Sequence, residues 1–467
     1  MTGPPVRSLW LREAMAGGFE PAPPLEGSAA ADVCIVGGGY TGLWTALRLK
    51  ELEPSLDVTI VEADICGGGA SGRNGGFVLS WWAKFETLKK VVGAEEAARL
   101  AHASADAVAA IGSFCKEHGI DADYRHDGWI WAAVNRAQVD SWRSVQGALD
   151  HAGEHPFVEL TPDQVAARTG SPVHVGGVFE PSGATVQPAA LAFGLRRVAR
   201  ERGIRIHERS PMTSLESAGA ATIVRTPQGS VRAGCVILAM NAWAVRFHEI
   251  RRWILVVGSD IVATDPIPDR LTGIGWTDGS CISDSRLLVH YYRTTADGRI
   301  AFGKGGGAIA LRATLAGPFE GASRRAATVE AAFRFTYPML ADVPITSSWT
   351  GPIDRPRTGL PVFGALKKHP RVLYGVGYSG NGVGPSYVGG RILASLALER
   401  SDEWSTCGLV DAHVKTFPPQ PLRFVGGHVV RRAIEQTERR QDEGRRPGRI
   451  ASRLIRLAPA GLVPVRR

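Results

Sequence analysis

Residues 31–63 constrain the fold of this chain more than any other stretch. Val33, Cys34, Ile35 and Val36 form a short apolar run, as in a strand buried on both faces. Gly37, Gly39 and Gly42 follow in the spacing G-x-G-x-x-G. Leu43, Ala46 and Leu47 then recur with helical period until Pro54 stops them. A second apolar run, residues 58–61, ends on Glu62, 20 residues beyond Gly42. The first glycine permits a sharp turn out of the strand, the second lets main chain approach a pyrophosphate, and the third lets helix and strand pack closely. The helix N-terminus offers unpaired N–H groups and positive potential to phosphates. An acid ending the second strand can accept hydrogen bonds from a ribose. The glycine spacing alone is weak in a chain with 56 glycines, but between strand and helix, with the acid at this distance, it predicts a bound dinucleotide.

At 467 residues the chain exceeds one simple core and reads as two interleaved domains. Its net charge of +9 is concentrated: residues 421–467 hold twelve arginines, no lysine and four acids, which is +8 of the total. The remainder is close to neutral, and the tail has no interleaved aromatics, so a nucleic-acid role is excluded. The tail reads as a solvated C-terminal helix with a frayed end. Six scattered cysteines without a C-x-x-C pair predict a reduced, cytoplasmic protein. Residues 1–30 contain no continuous apolar segment, so no secretory signal is expected, and they read as an irregular arm. His151, Glu154 and His155 imitate a zinc helix, but Gly153 and Pro156 interrupt it, and no metal site is expected.

A second glycine-rich stretch, residues 67–76, has six glycines in ten residues and suits main chain lying against a flat ligand, with Arg73 within reach of a phosphate and Ser71 able to cap or to bond to it. Residues 82–118 are helical in pattern. Residues 184–242 read as helix, strand, hairpin and strand, extending the first sheet. Residues 253–310 read as antiparallel strands, with 253–257 and 259–263 separate and a hairpin turn at Ala296-Asp297-Gly298. Residues 375–386, GVGYSGNGVGPS, enter a helix near Pro385. The expected architecture is α/β: a Rossmann-like nucleotide domain (31–90, 180–245 and 346–400) interleaved with an antiparallel-sheet substrate domain (91–179 and 246–345), between the arm (1–30) and a basic extension (401–467).

The set GGGYTGL (37–43), Glu62, GASGRNGG (69–76), ATVQPAALA (184–192), DRPRTGLP (354–361) and GYSGNGVG (377–384) resembles the D-amino-acid oxidase family, nearest its γ-glutamylputrescine oxidase-like and sarcosine oxidase-like branches. The resemblance runs from about residue 30 to 400. It implies FAD, an amine substrate and little side-chain chemistry. Hydride would pass from the carbon bearing nitrogen to the flavin, water would hydrolyse the imine, and O2 would regenerate the flavin and yield H2O2. By the same resemblance Gly37, Gly39 and Gly42 hold the pyrophosphate and Glu62 the ribose. Ser71, Arg73, Asn74 and Gly75 lie along the phosphates and flavin edge, and Met212 meets the adenine side. Gly380, Gly382 and Val383 sit under the flavin N1–C2=O edge, where a helix N-terminus would stabilise the reduced anion. Tyr40, Thr41, Ala63, Ala70, Gly76, Asn241, Gly351 and Asn381 complete the expected cofactor set. Lys304 matches a lysine that assists oxygen reduction. Arg293, beside Tyr291 and Tyr292, would receive a substrate carboxylate, a role equally open to Arg73 or Arg357. Residues 349–352 lack the cysteine that tethers FAD in sarcosine oxidase-like members, so non-covalent FAD is expected. Two rivals stand beside an oxidase: a dehydrogenase passing electrons to a quinone or carrier protein, with the basic tail on an anionic membrane, and a flavin-binding partner subunit without turnover.

Overall fold

The computed structural model describes residues 6–313 and 315–461. The first strand, Gly27–Val36, lies inside a mixed sheet. It pairs in parallel with Val58–Val61 on one side and Gly229–Leu238 on the other. Arg205–His207 extends the sheet beyond Val58–Val61, and His369–Val376 and then Val362–Leu366 extend it beyond Gly229–Leu238. The hairpin Ser214–Ala218/Ala221–Arg225 hangs from Gly229–Leu238. Val33, Ile35, Val58 and Ile60 are buried, as parallel strands covered on both faces require. The helix Tyr40–Leu52 packs against Val383–Ala397 so closely that a Cβ on Gly390 would lie 2.8 Å from that of Trp44. Trp44 itself meets Phe114 and Tyr387 edge-on.

The second sheet runs in the order Ile345–Arg355, Leu255–Thr264, Ile300–Lys304, His290–Thr294, Cys281–Asp284, Trp129–Ala133, Gly176–Glu180 and Val158–Leu160. It is antiparallel except between Cys281–Asp284 and Trp129–Ala133. Its outer face packs Val262, Tyr292 and Phe302 against the helix Ala326–Thr336, and its inner face turns toward the first sheet.

Several elements differ from the sequence reading. The two runs expected at 253–257 and 259–263 form one strand, Leu255–Thr264, because the main chain of Gly258 stays in the ladder opposite Pro352. The strand Ile345–Arg355 belongs to the second sheet, whereas 346–400 was expected wholly in the nucleotide domain. The helix Ala94–Glu117, expected in the substrate domain, packs on Val383–Ala397 of the nucleotide layer. From residue 6 onward the N-terminal arm carries a helix rather than being irregular throughout, and residues 1–5 of it lie outside the described residues. Ser8 caps the helix Leu9–Ala16, and Trp10 is fully buried against Trp349, its indole N–H donating to Asn74 O. The C-terminal extension is docked rather than solvated. Its helices Leu422–Asp442 and Arg449–Ile455 bury Ala433, Ile434, Ala451 and Ile455 around Leu288. Amphipathic packing against a chain-specific partner surface cannot be read from charge content alone. Residues 462–467 of that extension lie outside the described residues.

Candidate functional site

A cavity of about 760 Å3 runs between the two sheets, inside the span of roughly 300–1,000 Å3 usual for ligand sites. At one end lie Gly37, Gly39, Tyr40, Thr41, Glu62, Ala63 and Met212; at the other lie Ser259, Val289, Tyr291 and Gly305, and Arg355 lines the wall at the end of its own strand. Ala70, Ser71, Arg73, Asn74, Gly75, Asn241, Gly351, Gly380, Asn381, Gly382 and Val383 also line it.

The first end is a main-chain construction. Gly37, at φ +115°, turns the chain so tightly against the next strand that a Cβ would lie 2.5 Å from Ala239 O. Glu62 sits just past its strand and accepts from Gly38 N at 2.7 Å and Asp64 N at 2.9 Å. Burial pushes its carboxyl up, against the pull of those two N–H groups. Ser71 Oγ accepts from Tyr40 N at 2.9 Å, tying the second glycine-rich loop to the first helix. Two helix N-termini, at Tyr40 and at Val383, open on the same cavity, and neither has a side-chain cap from its own N-cap glycine. Arg73 donates from Nε to Gly68 O at 2.9 Å and from Nη1 to Phe319 O at 3.3 Å. Asn381 donates to Ser80 O, while its Oδ1, shielded from solvent at the cavity wall, has no partner among the described residues.

Two expected cofactor residues, Gly42 and Gly76, do not line the cavity. Gly42 acts in packing: a Cβ there would lie 2.0 Å from Gly37 O. Gly76 turns at φ +76° under Val186 O, where a Cβ would lie 2.2 Å away.

The other end is made by side chains on the inner face of the second sheet. Tyr291 lies across Gly303 of the adjacent strand, where a Cβ would come within 2.1 Å of the ring, and its hydroxyl pairs with Ser259 Oγ at 2.8 Å. Phe77 meets Tyr291 edge-on. Arg355, at the end of its strand, is pushed down to about 10 by burial, and its Nε has no partner among the described residues. Next to it Asp354 is pushed up to about 7 by burial, although its Oδ2 accepts from Gly377 N. Lys84, pushed down to about 7 by burial and then by Arg355, donates to Gly359 O.

Two of the three expected catalytic residues are not at the cavity. Lys304 pairs in register with Asp260 and His290, one residue along from the Gly303–Tyr291 pair. Successive side chains of a strand point to opposite faces, so Lys304 faces away from the cavity, with Nζ 2.6 Å from His290 Nε2. Arg293 is on the inner face but one pleat beyond Tyr291, fully buried under the Trp10 ring at 5.3 Å and pressed against Gly76. Arg357 lies over Phe417 and donates to Thr416 O. Of the arginines considered for a substrate carboxylate, only Arg73 lines the cavity, and it is joined there by Arg355. Sequence reasoning missed Arg355, although its neighbours in D-R-P-R-T-G were noted. It also missed Trp243 and Arg246, the latter holding Met212 O at 2.6 Å, and the arm residues Val6, Arg7 and Leu11. None of these carries a local motif.

The residues present suit a flavin dinucleotide. They supply two helix N-termini for phosphate and for negative charge, a carboxylate fixed by main-chain N–H groups, and unpartnered polar atoms at the far end. No cysteine lines the cavity among the described residues, in agreement with non-covalent FAD.

The comparisons with known proteins agree with this geometry. The family model "FAD dependent oxidoreductase" (DAO) matches residues 32–396. The chain is 30% identical to gamma-glutamylputrescine oxidoreductase of Escherichia coli K12 over 386 residues, covering 82% of this chain and 87% of that protein. It is 29% identical to the probable oxidoreductase OrdL of Haemophilus influenzae, covering 80% of this chain and 85% of that one. The fold is that of glycine oxidase from Geobacillus kaustophilus, at a TM-score of 0.64 and 19% identity over 80% of this chain and 96% of that one. The chain therefore belongs to the DAO family of FAD-dependent oxidoreductases.

Proposed function

We propose that the chain oxidises the carbon–nitrogen bond of a primary or secondary amine or amino acid that also bears a carboxylate, and that O2 takes the electrons to give H2O2. The observation that carries the substrate reading is Arg355, a cation lining the cavity whose Nε is unpartnered and shielded from water. A buried guanidinium gains strongly from a carboxylate that completes its hydrogen bonds. The relative named gamma-glutamylputrescine oxidoreductase supports an amine substrate.

FAD, held by the turn at residues 37–40, Glu62 and the Val383 helix N-terminus, would supply the electron sink for hydride removal from the carbon bearing nitrogen, and water would hydrolyse the resulting imine. The protein's own share is orientation and electrostatics. Arg355 anchors the anionic end of the substrate, and the Tyr291 ring with Phe77 sets an apolar wall of the same cavity. The Val383 helix N-terminus, with Gly380 and Gly382 before it, would stabilise negative charge on the bound cofactor. We assign the chain to the cytoplasm, in line with its six free cysteines.

A second reading, a dehydrogenase that passes the electrons to a quinone or carrier protein, is favoured by one observation. Lys304, the cation assigned to oxygen reduction, is turned away from the cavity. Peroxide measured per amine consumed, with O2 as sole acceptor, tests the two. A ratio near one at a turnover of seconds supports the oxidase. Turnover only with an added dye or quinone overturns it.

A further inference from the structure

The family match ends at residue 396, so it does not account for the two helices beyond it. Their inner face grips one loop, the segment between the strands Cys281–Asp284 and His290–Thr294. Leu288 N donates to Glu438 Oε1 at 2.9 Å. Arg286 donates through Nη1 and Nη2 to the two oxygens of Asp442, at 3.0 and 2.8 Å, and through Nε to Asp284 Oδ2 at 3.0 Å. Asp284 Oδ1 accepts from Arg286 N and from His290 N, and Asn135 Nδ2 donates to Asp442. Arg286, Glu438 and Asp284 are all buried, and the Leu288 side chain sits among Ala433, Ile434, Ala451 and Ile455.

The gripped loop reaches the cavity. Val289, flanked by the anchored Leu288 and His290, lines it, and its carbonyl accepts from N–H of Gly305, another lining residue, at 2.9 Å. Tyr291 follows two residues later. The end of the extension reaches the opposite wall, where Ala460 N donates to Arg357 O, two residues from Arg355. Two segments that line the cavity are thus tied to the extension.

We propose that Glu438 is a positioning residue for the substrate: by holding the amide of Leu288 it fixes Val289 and Tyr291 at the substrate end, which makes the C-terminal helix pair part of the specificity apparatus of this chain. The proposal rests on the amine-oxidation reading above. A main-chain N–H held by a buried carboxylate is a stiff anchor, because releasing it leaves both groups unpaired away from water. Small displacements of a positioning wall act on substrate affinity and alignment without touching the cofactor.

The test compares wild type, Glu438→Ala and Glu438→Gln as full-length, FAD-loaded proteins, by hydrogen–deuterium exchange and by steady-state kinetics with a carboxylate-bearing amine. In Glu438→Ala, peptides covering 286–291 exchange about ten-fold faster and KM rises about ten-fold, the loss of one buried hydrogen bond. Peptides covering 37–42, FAD content and kcat stay within about two-fold, since they do not depend on that bond. Glu438→Gln keeps an acceptor oxygen for Leu288 N and restores both readouts. Unchanged exchange at 286–291, or faster exchange with unchanged KM, overturns the proposal. Should Glu438→Ala fail to fold, Glu438→Asp, whose shorter side chain withdraws the acceptor from Leu288 N while keeping the charge, carries the same comparison. A wild-type protein reduced by no amine sinks the reaction assigned above instead, and the exchange data then decide the anchoring of the loop by themselves.

Discussion

At the Glu62 end of the cavity the groups that face a ligand are main-chain amides and helix termini, held apart by glycines. At the Tyr291 end they are side chains projected from an antiparallel sheet and tied down from behind by other side chains. The first end is made of local geometry. Gly37 and Gly42 are required because a Cβ at either would strike a carbonyl oxygen, at 2.5 and 2.0 Å. The second end depends on which pleat a residue occupies and on what packs behind it. Backbone sites tolerate almost no change in a few positions and ignore the rest. Side-chain sites can be retuned one residue at a time.

The largest expected effect attacks the first end. Gly42→Val places two methyl groups into the Gly37 carbonyl, and overpacking of this kind costs about 1–3 kcal/mol or more. The purified variant is expected to lose its flavin absorbance, and a variant that retains FAD at the wild-type level would break the contrast. Next comes Arg355→Met, a side-chain contact on the cavity wall. Removing a charge-assisted hydrogen bond to a carboxylate costs roughly 2–3 kcal/mol, so kcat/KM for a carboxylate-bearing amine falls by about 100-fold. FAD content is unchanged, and a comparable loss with a substrate that lacks the carboxylate would contradict the role.

A third measurement probes the material behind the second end. His174, buried and hydrogen-bonded to Tyr292 Oη at 2.6 Å, is pushed down to about 4 by burial. The unfolded chain, with histidine near 6.5, then binds more protons than the folded one between pH 6.5 and 4, and stability falls as pH drops through that window. From pH 7 to pH 5 this group removes about 2 kcal/mol. In His174→Gln the loss of stability over that interval, followed by urea unfolding at both pH values, shrinks by that amount. An unchanged acid loss would mean that His174 is protonated at little cost in the fold.

The smallest effect is the sharpest test of the pleat. Because Lys304 points to the far face of the sheet, Lys304→Met is expected to change the rate at which O2 reoxidises the reduced flavin by less than about two-fold, as expected for a residue without contact to the reacting atoms. A drop of about 100-fold, the size seen when a catalytic electrostatic group is removed, would put the lysine at the cavity.

The same contrast explains what was legible in the sequence. The strand–glycine–helix–strand unit and the loop 67–76 were readable because main-chain sites leave their mark in contiguous residues, down to Glu62 at the end of Val58–Val61. Lys304 was misplaced because sequence supplies residue type but not pleat phase, and Arg293, on the correct face, because sequence does not show that Trp10 and Gly76 fill the space around it. A shift of one residue along a strand moves a side chain to the opposite face. Arg355 was passed over because its significance comes from an unpaired nitrogen at a cavity wall, and nothing in D-R-P-R-T announces that. The docked extension was hidden for a related reason: its arginines dominate the composition, while the residues that hold it down, Glu438 and Asp442, are ordinary acids until Leu288 and Arg286 are seen opposite them.

The central claim is that the cavity holds FAD by its backbone end and a carboxylate-bearing amine by Arg355. Anaerobic titration of the flavin absorbance with one such amine and with its uncharged amide analogue, in wild type and in Arg355→Lys, tests it most directly. The account predicts bleaching of the wild type at far lower concentrations of the carboxylate form, and a collapse of that preference in the variant, whose ammonium cannot reproduce the guanidinium fork. Equal response to both amines in wild type, or a preference that survives in Arg355→Lys, would contradict it.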